Sequence, residues 1–167
     1  MPATMTVRPI VWHSTIESPL GELTIVRDEA GITGLYFPHH WYRPESETFG
    51  PRTSYGLYDV RTQLGEYFAG ERTEFELPLN LRGTPFQQRV RELIALIPYG
   101  STTTYGQLAA KVDASAQEVG AAVGRNPVSI IVGCHRVIGA NGKLTGYAGG
   151  LARKRWLLDL ERGDGLW

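Results

Sequence analysis

The chain has 167 residues, 42% of them hydrophobic, and its formal net charge is zero. This length suits one compact domain or two small lobes that share a core. The single cysteine excludes an internal disulfide, and no segment reaches the roughly 18 consecutive apolar residues of a membrane span. Because residues 1–14 also lack the sustained apolar run of a secretion signal, we expect a cytoplasmic protein.

The two halves of the chain differ in charge. Residues 1–81 contain 6 Lys or Arg against 11 Asp or Glu, whereas residues 82–167 contain 11 against 6. A polyanionic partner would therefore meet the second half. Opposite charges could equally hold the two halves together, so charge alone leaves both interpretations open.

The first half carries β-rich runs followed by one amphipathic helix. Short apolar runs alternate with the turn sequences SPLG and DEAG, which predicts an antiparallel hairpin or meander. Residues 38–56 lack apolar periodicity and are predicted to form a loop. Apolar residues then recur at helical spacing from Leu57 until Gly70, which predicts a helix. The run FELPLNL contains a proline, which suits an edge strand or a linker, and we set the lobe boundary at Leu81.

The second half is predicted to be mostly helical. Helix starts are marked by the pairs Thr84/Pro85, Thr104/Gln107 and Ser115/Glu118. The last two helices are short and separated by a tight turn, as in a helix-turn-helix. The second of them, AQEVGAAVGRN, is rich in Ala and Gly, which would let a partner approach its backbone or simply let it pack closely inside the protein. Together the two halves predict an α+β fold.

Residues 130–137, IIVGCHRV, place the only cysteine after an apolar run that resembles a buried strand and directly before His135 and Arg136. Cysteine attacks as the thiolate, and neighbouring cations raise the ionised fraction. Against this, a free cysteine is most often buried and inert. The motif alone therefore leaves a nucleophile and a core residue both open. One cysteine and four scattered histidines give no metal-ligand spacing, so we expect no metal site.

Three segments taken together closely resemble the O6-alkylguanine-DNA alkyltransferases. They are TIESPLGELTI, GTPFQQRVRELIALIPYGSTTTYGQLA and GRNPVSIIVGCHRVIGANGKLTGYAGGLARKRWLL. The most specific element is Cys-His-Arg-Val followed by TGYAGG, in that order. The resemblance implies an N-terminal support lobe, residues 1–81, and a catalytic, DNA-binding lobe, residues 82–167. It also implies irreversible transfer of an alkyl group from O6 of guanine in DNA to the cysteine, once per protein molecule.

The resemblance assigns roles to individual residues. Cys134 matches the alkyl acceptor, His135 the base that takes its proton through a water, and Glu161 the carboxylate that orients the histidine. Asn126 matches a residue that braces the turn before the cysteine, and the Tyr105 hydroxyl one that donates to the departing purine. On their own, the tyrosine would be explained by half-buried packing and the glutamate by solvation near a helix end. Arg136 resembles a structural arginine.

The same comparison assigns the surfaces that meet the substrate. The base pocket is assigned to Tyr147, Val132, Ala148 and Gly149. The helix that enters the DNA minor groove is assigned Ser115, Ala116, Gln117, Gly120, Ala121 and Arg125. The implied partner is double-stranded DNA with an alkylated guanine, which must rotate out of the stack. We expect no cofactor and a monomeric protein.

This chain departs from the family pattern at three places in its catalytic half. Gly133 stands where the family usually has proline, which predicts a looser backbone before the thiol. Gln117 stands where an intercalating arginine is expected, with Glu118 beside it, and the segment from Tyr105 to Val119 is about two residues shorter than usual. Because phosphate neutralisation dominates affinity for nucleic acid, we predict weak binding to duplex DNA.

Alternatives to DNA repair therefore stay open. The same alkyl transfer could act on a small molecule or a free modified base, as Gln117 and Gly133 suggest. A module that binds alkylated DNA without repairing it is a further alternative, although family members of that kind lack the cysteine that this chain retains. A cysteine hydrolase has little support, because no second feature suggests an acyl intermediate open to water.

Overall fold

The computed structural model describes residues 10–163. Its N-terminal part contains a three-stranded antiparallel sheet in the order β1 (Trp12–Ser18), β2 (Gly21–Arg27) and β3 (Ile32–Tyr36). Gly21 closes the first turn at φ +102°, and the Ser18 hydroxyl donates to its carbonyl at 2.7 Å. The predicted meander is confirmed.

The helix predicted from Leu57 is also confirmed. Helix α1 (Tyr58–Phe68) buries Val60, Leu64 and Tyr67, which lie on one face at helical spacing. The predicted loop before it contains one short 3-10 helix, Ser46–Phe49. After α1, the chain runs alongside β3 and forms a single bridge to it, between Leu79 and Ile32.

Three capped helices follow: α2 (Pro85–Ala95), α3 (Tyr105–Val112) and α4 (Ala116–Gly124). All three predicted capping pairs are present, and in each the N-cap hydroxyl accepts from the backbone N–H of the third helical residue. Helices α3 and α4 form the predicted helix-turn-helix, whose turn begins at Asp113 in the left-handed conformation. The two-residue strands β4 (Thr103–Thr104) and β5 (Val137–Ile138) pair in parallel. Helix α5 (Leu151–Arg162) ends the described chain.

The prediction of a strand leading into Cys134 is wrong. Residues 129–132 form turns, Ile130 has φ +71°, and a 3-10 helix (Cys134–Arg136) carries the cysteine. The apolar residues of this run are buried, but the Asn126 amide binds the carbonyls of Val128 and Val132 and curls the backbone between them. The apolar run therefore correctly indicated that these residues are buried, but their backbone is not extended.

A single hydrophobic cluster includes residues from both halves of the chain, among them Leu23, Leu64, Ile94 and Val119. The halves therefore share a core, while the lobe boundary at Leu81 stays a prediction. Within residues 10–163, no helix has the length and apolar character needed to cross a membrane.

Candidate active site

A cavity of about 490 Å³ lies between α4, the 145–148 loop and the loop that follows β3. Its walls are mostly aromatic rings and small residues. Cys134 is among the lining residues and is only 5% exposed. The cavity therefore connects a buried thiol with the protein surface.

Asn126 binds the thiol directly. It follows α4, and its side-chain amide donates to Cys134 Sγ at 3.2 Å. Burial raises the pKa of the Cys134 thiol above its ordinary value, whereas the Asn126 hydrogen bond and the positive charge of Lys154 oppose the shift. The thiol is therefore protonated at rest, in surroundings that stabilise the thiolate once a base removes the proton.

His135 is fully buried and paired with Glu161. Its Nε2 lies 2.6 Å from Glu161 Oε2. Burial lowers the pKa of His135; Glu161 opposes that shift, and the charges of Arg136 and Lys154 reinforce it. Because a carboxylate can only accept, Nε2 carries the proton of the neutral ring. Nδ1 is then a free acceptor, and it is buried without a hydrogen-bond partner among residues 10–163.

Glu161 accepts hydrogen bonds from several segments of the chain. Arg136 Nε and Nη2 lie 2.7 and 3.1 Å from its two oxygens, and the Tyr67 hydroxyl donates to Oε2 at 2.6 Å. Burial would raise the pKa of Glu161, but the hydrogen bond and charge of His135, with the bonds from Arg136 and Tyr67, lower it to about 2. The group is therefore a carboxylate throughout the neutral range.

Tyr105, the first residue of α3, lines the cavity, and its ring lies against Gly120 of α4. Behind it is Lys154, a fully buried lysine whose Nζ donates to the Thr145 carbonyl at 2.9 Å and lies 3.4 Å from the Tyr105 hydroxyl. Burial lowers the pKa of Lys154 to about 8. The lysine therefore joins α5 to the 145–148 loop and to Tyr105, and brings positive charge near the thiol.

The structure brings most of the predicted site residues together around this cavity. Lining residues are Cys134, Asn126, Tyr105, Tyr147, Ala148, Ala116, Gln117, Gly120 and Ala121. His135 and Glu161 lie behind the cysteine. Four further predicted residues are also outside the lining: Val132, Gly149, Ser115 and Arg125. Ser115 caps α4, and the Val132 carbonyl accepts from Asn126.

The structure shows what two of the departures from the family pattern do locally. Gly133 adopts φ −75°, a value that proline also takes, so its backbone uses no conformation reserved for glycine. Glu118 accepts from the Ser115 N–H at 3.4 Å and does not line the cavity. Its carboxylate is therefore partly occupied in capping α4.

Sequence reasoning missed Lys154, Tyr67 and the aromatic pair Trp41 and Tyr42, which line the cavity mouth from the loop after β3. Lys154 lies in a charged run, ARKR, that is typical of a solvated helix face. Its position three residues before Leu157 and four before Leu158 was the available signal, because that spacing aligns it with the apolar face. In the described part of the chain, no group of three or more His, Cys, Asp or Glu side chains could hold a metal ion.

Two family models match the chain. Residues 11–81 match the 6-O-methylguanine DNA methyltransferase ribonuclease-like domain, and residues 85–163 match the DNA binding domain of the same family. The methylated-DNA–protein-cysteine methyltransferase of Mycobacterium tuberculosis is 48% identical over 92% of this chain and 93% of its own. The constitutive enzyme of that name from Bacillus subtilis is 44% identical, over 90% and 95%.

Solved structures agree with these matches. The crystal structure of Mycobacterium tuberculosis OGT in complex with DNA superposes with a TM-score of 0.84 at 47% identity, covering 90% of this chain and 92% of that one. The α+β architecture of this chain is therefore that of its solved relatives.

We expect Glu161→Gln to lower the free energy of unfolding at pH 7 by about 3–5 kcal/mol, because Arg136 would be left without its buried carboxylate. The pKa of Glu161 is about 2 in the folded protein against an ordinary 4.5. Its contribution is therefore complete above pH 4.5 and is lost as the pH falls towards 2. Urea unfolding at successive pH values should show the difference between wild type and variant shrinking over that interval.

Glu66→Gln is the matched control, since Glu66 pairs with Arg72 at 3.2 Å on the surface, where its side chain is 38% exposed. That variant should lose less than about 1 kcal/mol. A Glu161→Gln deficit that stayed constant from pH 7 to pH 2 would contradict the assignment of the stabilisation to the ionised carboxylate.

We expect Lys154→Met to raise the pKa of Cys134, because the substitution removes a cation that favours the thiolate. The single cysteine permits a direct measurement by thiolate absorbance across a pH titration, with Cys134→Ser as the blank. Lys143→Met, at an exposed lysine, should leave the titration unchanged. An identical thiol titration in wild type and Lys154→Met would limit the lysine to a packing role.

Proposed function

The chain belongs to the 6-O-methylguanine DNA methyltransferase family, and from this premise we propose that it repairs DNA by transferring an alkyl group from O6 of guanine to Cys134. The observation that carries the proposal is the site itself. A buried thiol, bonded to Asn126, lines a cavity, and His135 and Glu161 stand behind it. This arrangement is that of a cysteine nucleophile with an oriented base.

The proposed transfer needs no co-reactant. The thiol proton passes to His135 Nδ1 through a water, and Glu161 stabilises the imidazolium that forms. The sulfur then forms a bond to the alkyl carbon as the carbon–O6 bond breaks, and that electron pair stays on the guanine. Guanine recovers a proton, so that thiol and alkylated base become thioether and normal base. Since nothing hydrolyses the thioether, each protein molecule acts once.

Tyr105 acts on the leaving group. An alkyl–oxygen bond breaks readily only when the negative charge on the departing purine is stabilised. Burial raises the pKa of Tyr105, so its hydroxyl is neutral, and the proton that it donates to the Thr145 carbonyl at 3.2 Å would turn to the purine when the base is bound. Lys154, 3.4 Å from that hydroxyl, strengthens it as a donor by its positive charge.

Helix α4 serves as the DNA-contacting element. Its cavity-facing residues are small, which allows close approach to a minor groove, and the guanine must leave the duplex to reach Cys134. Gln117 is exposed on that face, and α4 itself contains no Lys or Arg. We therefore expect weak binding to duplex DNA. The absence of Lys and Arg from α4 is also the observation that favours free alkylated bases as alternative substrates.

Intact-mass spectrometry tests the function directly. After incubation with a duplex that carries O6-methylguanine, wild-type protein should gain one methyl group, and Cys134→Ser should gain none. A parallel incubation with the free base compares the two substrate classes. No mass gain with either substrate, in the presence of a reactive alkyltransferase as positive control, would overturn the proposal. Faster reaction with the free base would favour the small-molecule alternative.

Gln117→Arg should accelerate reaction with the duplex, because it adds a cation and a long side chain where α4 meets the DNA. The second-order rate constant for methyl transfer from the duplex is the measurement. Thr62→Arg adds the same charge at an exposed position on α1, outside the cavity lining, and controls for net charge. Equal acceleration by both variants, or none by Gln117→Arg, would contradict this account of α4.

A further inference from the structure

Two exposed aromatic residues stand at the mouth of the Cys134 cavity. Trp41 is 69% exposed and Tyr42 is 58% exposed, and both line the cavity. They come from the N-terminal half, on the loop after β3. Large aromatic side chains usually bury most of their surface. Two adjacent exposed rings beside a reactive site therefore indicate a surface that binds another molecule.

The loop holds these rings in a fixed position. The Trp41 N–H donates to the Ala148 carbonyl at 2.9 Å, which joins the loop to the opposite wall of the cavity. His40 stacks on Phe37, and its Nδ1 accepts from the Phe37 N–H at 3.2 Å. Tyr42 adopts φ +61°, a strained conformation for a residue with a side chain. The backbone at Trp41 is thus anchored to the 145–148 loop.

The two rings differ in what covers them. The guanidinium of Arg125 lies 3.9 Å from the centroid of the Tyr42 ring, and an edge of that ring lies close to Gly124 at the end of α4. Arg125 makes no ion pair with a carboxylate in residues 10–163. The indole of Trp41, by contrast, has no aromatic or cationic partner among the described residues. One ring therefore holds a cation, and the other offers an open face.

We propose that Trp41 is a stacking platform for a nucleobase next to the flipped guanine, and that Tyr42 holds Arg125 against a phosphate of the same DNA. The inference rests on the proposed function and identifies a DNA surface formed by the loop after β3 and the C-terminal end of α4. A nucleobase suits the open indole because every base has an aromatic face, so stacking tolerates any sequence. A phosphate suits Arg125 because its fork of N–H donors stays charged and unpaired.

This surface compensates for the composition of α4. The helix presents Gln117 to the cavity mouth, so the cation and the ring come instead from Arg125 and from the loop after β3. An alternative is that Trp41 is a wall for the reacting purine itself. The two cases differ, because a platform for a neighbouring base matters only when the substrate is part of a DNA strand.

The first experiment compares Trp41→Ala with wild type on two substrates, the O6-methylguanine duplex and the free base. We expect methyl transfer from the duplex to slow about tenfold more than transfer from the free base. Trp41→Phe should retain most of the duplex rate. Tyr58→Ala, at an aromatic residue on α1 that is 68% exposed and outside the cavity lining, is the matched control. Equal loss on both substrates, or no loss on the duplex, would overturn the inference.

A second experiment separates binding from chemistry. In the Cys134→Ser background, which cannot react, the duplex should quench tryptophan fluorescence, and adding Trp41→Phe should remove that change. Arg125→Gln should reduce the slope of log affinity against log salt by about one. Quenching that persists without Trp41, or an unchanged salt slope, would overturn the respective contact. Trp41-dependent binding by a wild type that transfers no methyl group would instead count against the proposed function alone.

Discussion

The buried carboxylate of Glu161 is the interaction on which the rest of the site depends. It lies on α5 and accepts hydrogen bonds from Tyr67 on α1 and from His135 and Arg136 in the 3-10 helix that begins with Cys134. A buried ion pair is a weak source of stability, because desolvation offsets most of the attraction, and apolar residues of equal volume often serve as well. The network is better explained by what it positions. It sets the His135 tautomer, fixes the helix that presents the thiol, and ties α1 to α5 through one charged group.

The charges around this carboxylate also set when the thiol reacts. Arg136 and Lys154 are cations in the interior, and Glu161 balances only one of them. Burial keeps the Cys134 thiol protonated, which suppresses reaction with passing electrophiles, since the thiolate is the reactive form. A purine that fills the cavity excludes water and thereby strengthens every electrostatic interaction there. The surplus positive charge then favours both the thiolate and the departing purine anion, so reactivity is coupled to occupancy of the cavity.

Local signals in the sequence predicted local structure well. Capping pairs located the starts of α2, α3 and α4 because a cap depends on residues three positions apart, and turn sequences located the meander. The backbone before Cys134 was mispredicted because its curl depends on the Asn126 side chain, which periodicity does not register. Lys154 escaped notice because a lysine in a charged helix is normally solvated, and only the folded arrangement buries it. The aromatic loop after β3 has no repeating pattern, so its place beside the cavity followed from tertiary contacts alone.

The buried residues around Cys134 and the exposed residues of α4 obey different physical constraints, and the departure at Gln117 falls in the exposed set. The buried network is cooperative, because removing one partner leaves another charge buried and unpaired. Its members must therefore be kept together. Exposed contacts to DNA contribute separately, and in the proposal above the cation absent from α4 is supplied by Arg125, which lies on the Tyr42 ring. Gly133 fits the same division. Its φ of −75° is a value that the ring of a proline would fix, although residue 133 is a glycine. Because Glu161 anchors the next turn through His135 and Arg136, the geometry of the thiol is set by the network and does not require a proline at position 133.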